Sequence, residues 1–406
     1  MNFDIEKVRA DFPILQQKVY NKPLVYLDNG ATTQKPLPVI HCIDDYHNRK
    51  NSSIHRGVHY LSEQATQDYE DARRTVQQYI HAAHPHEIIF TSGTTGSING
   101  LAFSFGEKFV HEGDEIVVTE MEHHANIVPW QMLCERKKAL LRVIPFDDRG
   151  VLDLDHFEAQ INAKTRLVAV IHLSNALGTV NPVDRMIEIA HRHNVPVLVD
   201  GAQSVQHMAI DVQKSDMDFF VFSGHKVYGP TGIGVLYGKE KWLEEIPPFQ
   251  GGGDMVDVVT FEKTTYNVLP FRFEAGTPNY IGAIGLGKAL DYITKTGIDR
   301  ITAYEHFLLE TGTRLLEELG YVTLYGRSPD RHSILSFNIN GVHPYDAGMI
   351  LDKLGIAVRT GTHCAQPVMQ HFGITGTIRA SLAMYNTVEE LEFLTDGVKK
   401  VKTMFG

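Results

Sequence analysis

Cysteine is scarce. The 406 residues hold three, Cys42, Cys134 and Cys364, at long spacings and with no C-x-x-C pair. An odd, scattered set argues against a disulfide framework and against a cysteine-based zinc site. Long hydrophobic runs are also missing. No stretch of about 18 apolar residues occurs, and the N-terminus MNFDIEKVRADFPIL mixes both charge signs without the apolar core of a secretory signal. A membrane span is not expected, and the cytoplasm is the expected location. Positive charge is in deficit: 38 Lys and Arg stand against 49 Asp and Glu, a net charge of −11. Such a field repels nucleic-acid phosphates and anionic lipid surfaces. Small molecules and proteins are the expected partners, with no nucleic acid and no membrane. Internal repeats, low-complexity tracts and a Pro/Gly/Ser linker are absent as well.

What is present is an ordinary globular composition, 43% hydrophobic and 21% charged, enough for a compact fold. At roughly 150 residues per domain the length suits two or three domains. Short apolar runs recur: EIIF, EIVVTE, RLVAVIHLS, VPVLVD and DFFVFS. RLVAVIH and VPVLVD are nearly continuous in Val, Leu, Ile and Ala, as strands covered on both faces are. Between them VDRMIEIAHRHN has apolar residues at helical spacing and a stop at Asn194, so the simplest account is a βαβ unit in a parallel α/β sheet. After about residue 290 the texture changes to the long mixed helix GIDRITAYEHFLLETGTRLLEELG, strand-like HSILSFNI and the terminal TVEELEFLTDGVKKVKTMF. This predicts a second, α+β unit.

Ligands of open α/β sheets collect at the carboxyl ends of strands. Three segments place polar groups there. EIIFTSGTTGSING runs from strand through a Gly/Ser/Thr loop into a helix and would aim backbone N–H groups and hydroxyls at one point, which suits a phosphate. It is neither a Walker A loop nor G-x-G-x-x-G, so no nucleotide is implied, and a plain helix cap is the competing account. Asp200 ends VPVLVD and must find a donor or a cation, or serve as a loop cap. Lys226, in VFSGHKVYGPTGIG, sits at the mouth of an apolar run. Alone it reads as a lysine snorkelling to solvent; beside apolar surface its amine is pushed toward the neutral, nucleophilic form. Together, a phosphate cup, a strand-end Asp and a strand-end Lys 26 residues later are what pyridoxal 5'-phosphate requires: a lysine imine, a carboxylate on the ring nitrogen and a grip on the phosphate.

FSGHKVYGPTGIGVLY, VDGAQS, MEHHANIVPWQ, SNALGTVNP, RFEAGTPN and RTGTHCAQPVM, with YLDNGATTQKP, HRGVHYLSEQAT and IRASLAMYNT, resemble the group II (SufS-type) cysteine desulfurases of the sulfur-mobilisation (Suf) system, close to selenocysteine lyases. The resemblance covers nearly the whole chain. It implies a type I pyridoxal-phosphate fold, aspartate aminotransferase-like, with a mostly parallel seven-stranded sheet in a large domain (21–292). A smaller α+β domain (1–20 and 293–406) would carry the cysteine loop. It implies conversion of L-cysteine to L-alanine with sulfur left as a persulfide on Cys364, for iron–sulfur cluster assembly, with L-selenocysteine the alternative substrate. Lys226 would be the Schiff-base lysine, Asp200 the partner of the ring nitrogen, Gln203 a donor to the ring oxygen and His123 the ring-stacking imidazole. Thr94, Thr95, Ser223 and His225 would hold the phosphate, with Thr277 reaching over from the second subunit of a homodimer. Asn175 and Arg379 would bind the substrate carboxylate, with Arg359 nearby. A SufE-like or SufU-like acceptor and a Suf scaffold would take the sulfur.

A thiol with a pKa of about 8.5 is only partly ionised at neutral pH; Arg359 and His363 are the groups expected to activate Cys364. Cys42 and Cys134 lie in helical patterns and read as inert. HAAHPHE and the HRH at 191–193 lack recognised ligand spacings and read as solvated, so no metal is expected. Gly96 and Thr362 depart from the family pattern, standing where many members carry an acidic residue and a histidine.

Overall fold

A computed structural model of the chain describes residues 3–405. Its largest sheet has seven strands: β1 (Ile88–Thr91), β2 (Glu115–Thr119), β3 (Leu140–Ile144), β4 (Thr165–Ile171), β5 (Val197–Asp200), β6 (Phe219–Ser223) and β7 (Gly234–Gly238). They lie in the order β1-β7-β6-β5-β4-β2-β3. The five from β6 to β3 are parallel, and β7 runs antiparallel to both its neighbours. This is the mostly parallel seven-stranded α/β architecture expected. β1, β2, β4, β5 and β6 coincide with the hydrophobic runs. β3 gives no such run because it is an edge strand with half its surface toward solvent, and β7 because it begins and ends in glycine.

The sheet is covered on both faces, which is why its strands are continuous in apolar residues. Phe219 and Val221 of β6 pack with Leu101 and Phe105 of helix α2 (Thr94–Phe109). Phe220 and Phe222 face the opposite way, into the core that holds Ala72 and Val76 of α1 (Tyr60–Tyr79). The helix expected between β4 and β5 is Val183–Arg192, and Asn194 beyond it takes the left-handed φ of 59° that ends a helix. Register brings Ile171 beside Asp200 and Asp200 beside Val221. The carboxyl ends of β4, β5 and β6 therefore open on one spot.

The chain breaks at Gly297 (φ 93°) between the helix Tyr280–Thr296 and the next, Ile298–Glu317. Beyond it lies a four-stranded antiparallel sheet, β8 (Val322–Tyr325), β9 (Ile334–Ile339), β10 (Arg359–Gly361) and β11 (Thr377–Ser381), ordered β8-β9-β11-β10. It has its own core, with Leu308, Phe337, Leu351, Ile378, Leu394 and Val398. Val25–Tyr26, from the stretch assigned above to the large domain, pairs with Ile356–Ala357 on this side and Asp28 bridges to Ser381, while Val8, Phe12 and Leu15 pack in the core of the large sheet. Among the described residues no helix is long and apolar enough to cross a membrane.

Candidate active site

A cavity of about 200 Å³ opens at the ends of β5 and β6, between the two sheets. On one side the loop after β1 turns into α2. Gly93, at φ 141°, precedes Thr94 and has no side chain to cap the helix. Ser223 Oγ takes the first N–H of the helix, that of Thr94, and the N–H groups of Thr95 and Gly96 remain for an outside acceptor. Thr94 N–H donates to Ser223 Oγ at 2.8 Å, and Thr94 Oγ1 lies 2.8 Å from the same oxygen. A Cβ on Gly234 of β7 would sit 2.4 Å from Gly93 Cα, so glycine is what lets β7 and the loop meet. Thr95 lines the cavity beside them.

Asp200 is 2% exposed and accepts the Ala202 N–H at 2.9 Å. Burial pushes its carboxyl up, while the Ala202 hydrogen bond and the charge of Lys226 pull it down. Lys226 closes the turn Gly224–Lys226 after β6, and burial pushes its amine down to about 8 although Asp200 opposes this. His225 points an imidazole at the cavity, pushed down to about 4 by burial and by Lys226. Its carbonyl is fastened by Thr32 Oγ1, Thr33 N–H and Lys35 Nζ at 3.0 to 3.1 Å. His123 Nδ1 accepts the Ala125 N–H at 3.0 Å. Burial, helped by Lys226, holds this ring down to about 3, so it is neutral with its proton on Nε2. Gln203 spends its Nε2 donor on Gly30 O at 2.7 Å; its Oε1 is buried without a partner. The amide can therefore offer a ligand its free oxygen and the second N–H of Nε2.

A helix start with spare N–H groups, a buried carboxylate, a lysine amine with a lowered pKa and an orphaned amide oxygen converge here. These are unmet needs that an anionic group, a protonated ring nitrogen, an aldehyde and a ring hydroxyl would meet. The residues present fit pyridoxal 5'-phosphate.

The opposite wall comes from the smaller sheet. Arg379 of β11, 1% exposed, donates from Nη1 to Asn175 O at 2.9 Å and from Nη2 to Asp28 Oδ1 at 3.1 Å, leaving Nε buried without a partner. Burial pushes it down to about 10. Asn175 donates from Nδ2 to His363 O at 2.6 Å, and its Oδ1 is unpartnered. It ties down the cysteine loop with one N–H of Nδ2 and lines the cavity, with the second N–H of that amide left for a ligand. Arg359 Nη2 lies 3.7 Å from Cys364 Sγ. His363 and Cys364 both have left-handed φ, 54° and 57°. His363 Nε2 meets Thr377 Oγ1 at 2.9 Å, and burial pushes the ring down to about 3. His363 is thus neutral, and Arg359 is the cation at the thiol. His363 lines the cavity while half-buried Cys364 lies just beyond its wall. Thr277 is exposed and outside the cavity.

Two residues beyond the expected set matter. Asp28 occupies Arg379. Glu122, fully buried, accepts from Thr119 Oγ1, Asn126 Nδ2 and Ile171 N–H at 2.6 to 2.9 Å and so fixes the loop that carries His123. MEHHAN and YLDNG contain them, but a histidine pair and a turn glycine draw the eye instead. Cys134 is buried with its thiol pushed up to about 11, and half-buried Cys42 is also raised by burial; both fit the inert reading. His81, His84 and His193 are exposed, whereas His191 is partly buried and bonds Asp218 at 2.7 Å. One cluster no motif announced, His207, Glu305 and His332, brings donor atoms within 4.8 Å of one another. His207 Nδ1 lies 2.7 Å from Glu305 Oε2, a hydrogen-bond spacing, and the group links the two units as a polar contact. Gly96 lies in the first turn of α2, where a Cβ would come 2.5 Å from Ser92 Oγ, and Thr362 O accepts the Ala365 N–H.

The chain matches the aminotransferase class-V family over residues 25–394. It is 50% identical over 407 residues to a cysteine desulfurase of Salmonella agona, covering all of both chains. It is 51% identical over 403 residues to a cysteine desulfurase of Synechococcus elongatus; 99% of the chain is covered but only 64% of that longer protein. Among solved structures, the apo cysteine desulfurase of Thermococcus onnurineus NA1 superposes with a TM-score of 0.94 at 41% identity, covering 99% of each chain. The cysteine desulfurase CsdA of Escherichia coli does so with a TM-score of 0.92 at 37% identity, covering 100% of each chain.

Proposed function

The chain belongs to the aminotransferase class-V family, and from that premise we propose that it is a pyridoxal-phosphate-dependent cysteine desulfurase of the group II, Suf type. The observation that carries the reading is that Lys226, its amine pushed down to about 8, feels the charge of a thiol, Cys364, held beside the Arg359 guanidinium just behind the wall of the same cavity. An aminotransferase needs the first and has no use for the second.

Thr94, Thr95, Ser223 and His225 would hold the phosphate, Asp200 the ring nitrogen and His123 the ring face. When bound, the cofactor supplies a conjugated, electron-withdrawing ring joined to the substrate amine. Arg379 would bind the substrate carboxylate once Asp28 yields it, since a guanidinium grips a carboxylate in a bidentate pair. Lys226 Nζ, unprotonated, takes the α-proton of the bound cysteine and can return a proton to the carbon skeleton. Cys364 Sγ then forms an S–S bond with the substrate sulfur as the substrate C–S bond breaks. The electron pair of that bond stays with carbon, which is protonated and leaves as L-alanine; the persulfide stays on Cys364. Burial keeps His123 and His363 neutral, so the cation next to Cys364 Sγ is Arg359, with Arg379 and Lys226 acting on it from farther off.

We assign sulfur delivery for iron–sulfur cluster assembly, a homodimer in which Thr277 completes the partner's phosphate cup, a cytoplasmic location and a SufE-like or SufU-like acceptor to the same reading. The test is incubation with L-cysteine, with alanine and enzyme persulfide measured as they form without any keto acid. Equal amounts of both, lost in Cys364→Ser and in Lys226→Ala, are expected. Alanine that persists in Lys226→Ala sinks the reading. A parallel arm with L-selenocysteine, on which turnover survives Cys364→Ser, would favour a selenocysteine lyase.

A further inference from the structure

The loop that carries Cys364 does not hold its own shape. His363 and Cys364 are consecutive non-glycine residues in the left-handed region, a conformation that persists only where the surroundings impose it. Asn175 and Thr377 hold the His363 side of the loop; the Cys364 side is held from across the cavity, by the segment that carries His123. His124 N–H donates to Cys364 O at 2.7 Å. His124 Nε2 accepts the N–H of Gln366, the first residue of the helix Gln366–His371, at 3.1 Å. That helix has no cap of its own: Ala365 precedes it and offers no side-chain acceptor. The imidazole of a residue 242 positions away in sequence does the capping.

We propose that His124 is the positioning residue for Cys364, its imidazole Nε2 clipping the start of the Gln366 helix so that Sγ is held at Arg359, just behind the cavity wall. The inference rests on the desulfurase reading for its kinetic consequence only. The clip itself is a contact between two segments and can be tested without substrate. The division of labour within the pair is then plain: His123 faces the cavity, and His124 faces the loop that must bring sulfur chemistry to it. With Nε2 as acceptor, His124 carries its proton on Nδ1, so an acceptor at the Nε2 position is the property that matters, and glutamine can supply one at similar reach.

The experiment uses full-length holoenzyme and three chains: wild type, His124→Ala and His124→Gln. Iodoacetamide alkylation of Cys364, followed by mass spectrometry of the peptide that contains it, reads the clip in the absence of cysteine. His124→Ala should alkylate at least about threefold faster, because the half-buried thiol loses its restraint, and His124→Gln should return to the wild-type rate. With cysteine, kcat should fall about tenfold in His124→Ala, the factor that one well-made hydrogen bond carries, with KM little changed and recovery in His124→Gln. The visible absorbance of the bound cofactor should be the same in all three. Unchanged or slower alkylation in His124→Ala overturns the proposal, as does a His124→Gln chain that behaves like His124→Ala. Loss of cofactor absorbance in His124→Ala overturns it too, by showing that the residue acts through His123. If wild type forms no alanine, the desulfurase reading fails while the alkylation rates still decide the clip.

Discussion

The two walls of the cavity are made in different ways. At the β5 and β6 ends, Asp200 and Ser223 are the last residues of buried strands, and Lys226 follows within three residues. Their places are set by the sheet's hydrogen-bond ladder and by apolar cores on both faces. On the other wall Cys364 lies in a short loop after an edge strand, β10, in a left-handed conformation that contacts from distant segments impose. The first wall is embedded and the second is held. A group that must keep one protonation balance benefits from a fixed, dry surrounding. A thiol that must reach a substrate and afterwards meet an acceptor needs a segment that can be released.

The sharpest way to break this contrast is to remove one reactive group from each wall. Lys226→Ala should lower alanine formation by roughly 10² to 10⁴ and weaken cofactor retention, seen as loss of visible absorbance. Cys364→Ser should abolish persulfide formation at that position while leaving that absorbance untouched. If Cys364→Ser also strips the cofactor, the two walls are not independent.

Arg379 straddles the walls, and its replacement measures their coupling. Arg379→Lys keeps a charge but loses the planar fork, and hydrogen bonds to charged groups are worth about 1.5–3 kcal/mol. KM for cysteine should therefore rise about 10- to 100-fold with a smaller change in kcat. Because Asp28 holds Arg379 in the structure, Asp28→Asn should move KM the opposite way. A fall in kcat alone for Arg379→Lys would show that the guanidinium does not bind the substrate.

These predictions use residues of unequal visibility in the sequence. Asp200 and Lys226 could be read because each ends a continuous run of Val, Leu, Ile or Phe, and a charge there has few ways to be satisfied. The phosphate loop was legible as strand, Gly/Thr turn and helix. The second wall was not legible in the same way. Asn175 reaches His363 O across 188 residues, and Arg379 reaches Asp28 across 351; no local pattern encodes such meetings. The neutrality of His363 follows from burial, which a loop of Gly, Thr and His does not advertise. Gln203 is legible from its place after Asp200, but its anchor, the carbonyl of Gly30, is 173 residues away and has no local signal.

The pH dependence tests whether the amine of the embedded wall governs the rate. Lys226 is pushed down to about 8, so the unprotonated fraction, and with it kcat, should rise about tenfold between roughly pH 7 and 9. His123 and His363, held down to about 3, should add no inflection above pH 5. A limb that survives in Cys364→Ser, monitored by α-proton exchange of cysteine with solvent, belongs to Lys226. A limb that disappears there belongs to the thiol, and the contrast would have to be redrawn.

The smallest effect concerns stability and only the embedded wall should show it. Lys226 has its amine pushed from the ordinary lysine value, about 10.4, down to about 8, chiefly by burial, so between those two pH values the unfolded chain binds more protons than the folded one. Stability therefore rises with pH across that window, and the penalty of burying the charge is fully present below about pH 8. In cofactor-free protein Lys226→Met should melt a few degrees above wild type at neutral pH, and the gap should shrink as pH climbs toward 10. Arg359→Met on the held wall should show no such window, because a guanidinium stays protonated throughout. A pH-independent gap for Lys226→Met would mean that its amine is charged in the fold at every pH, and the embedded wall would then owe its behaviour to shape rather than to burial.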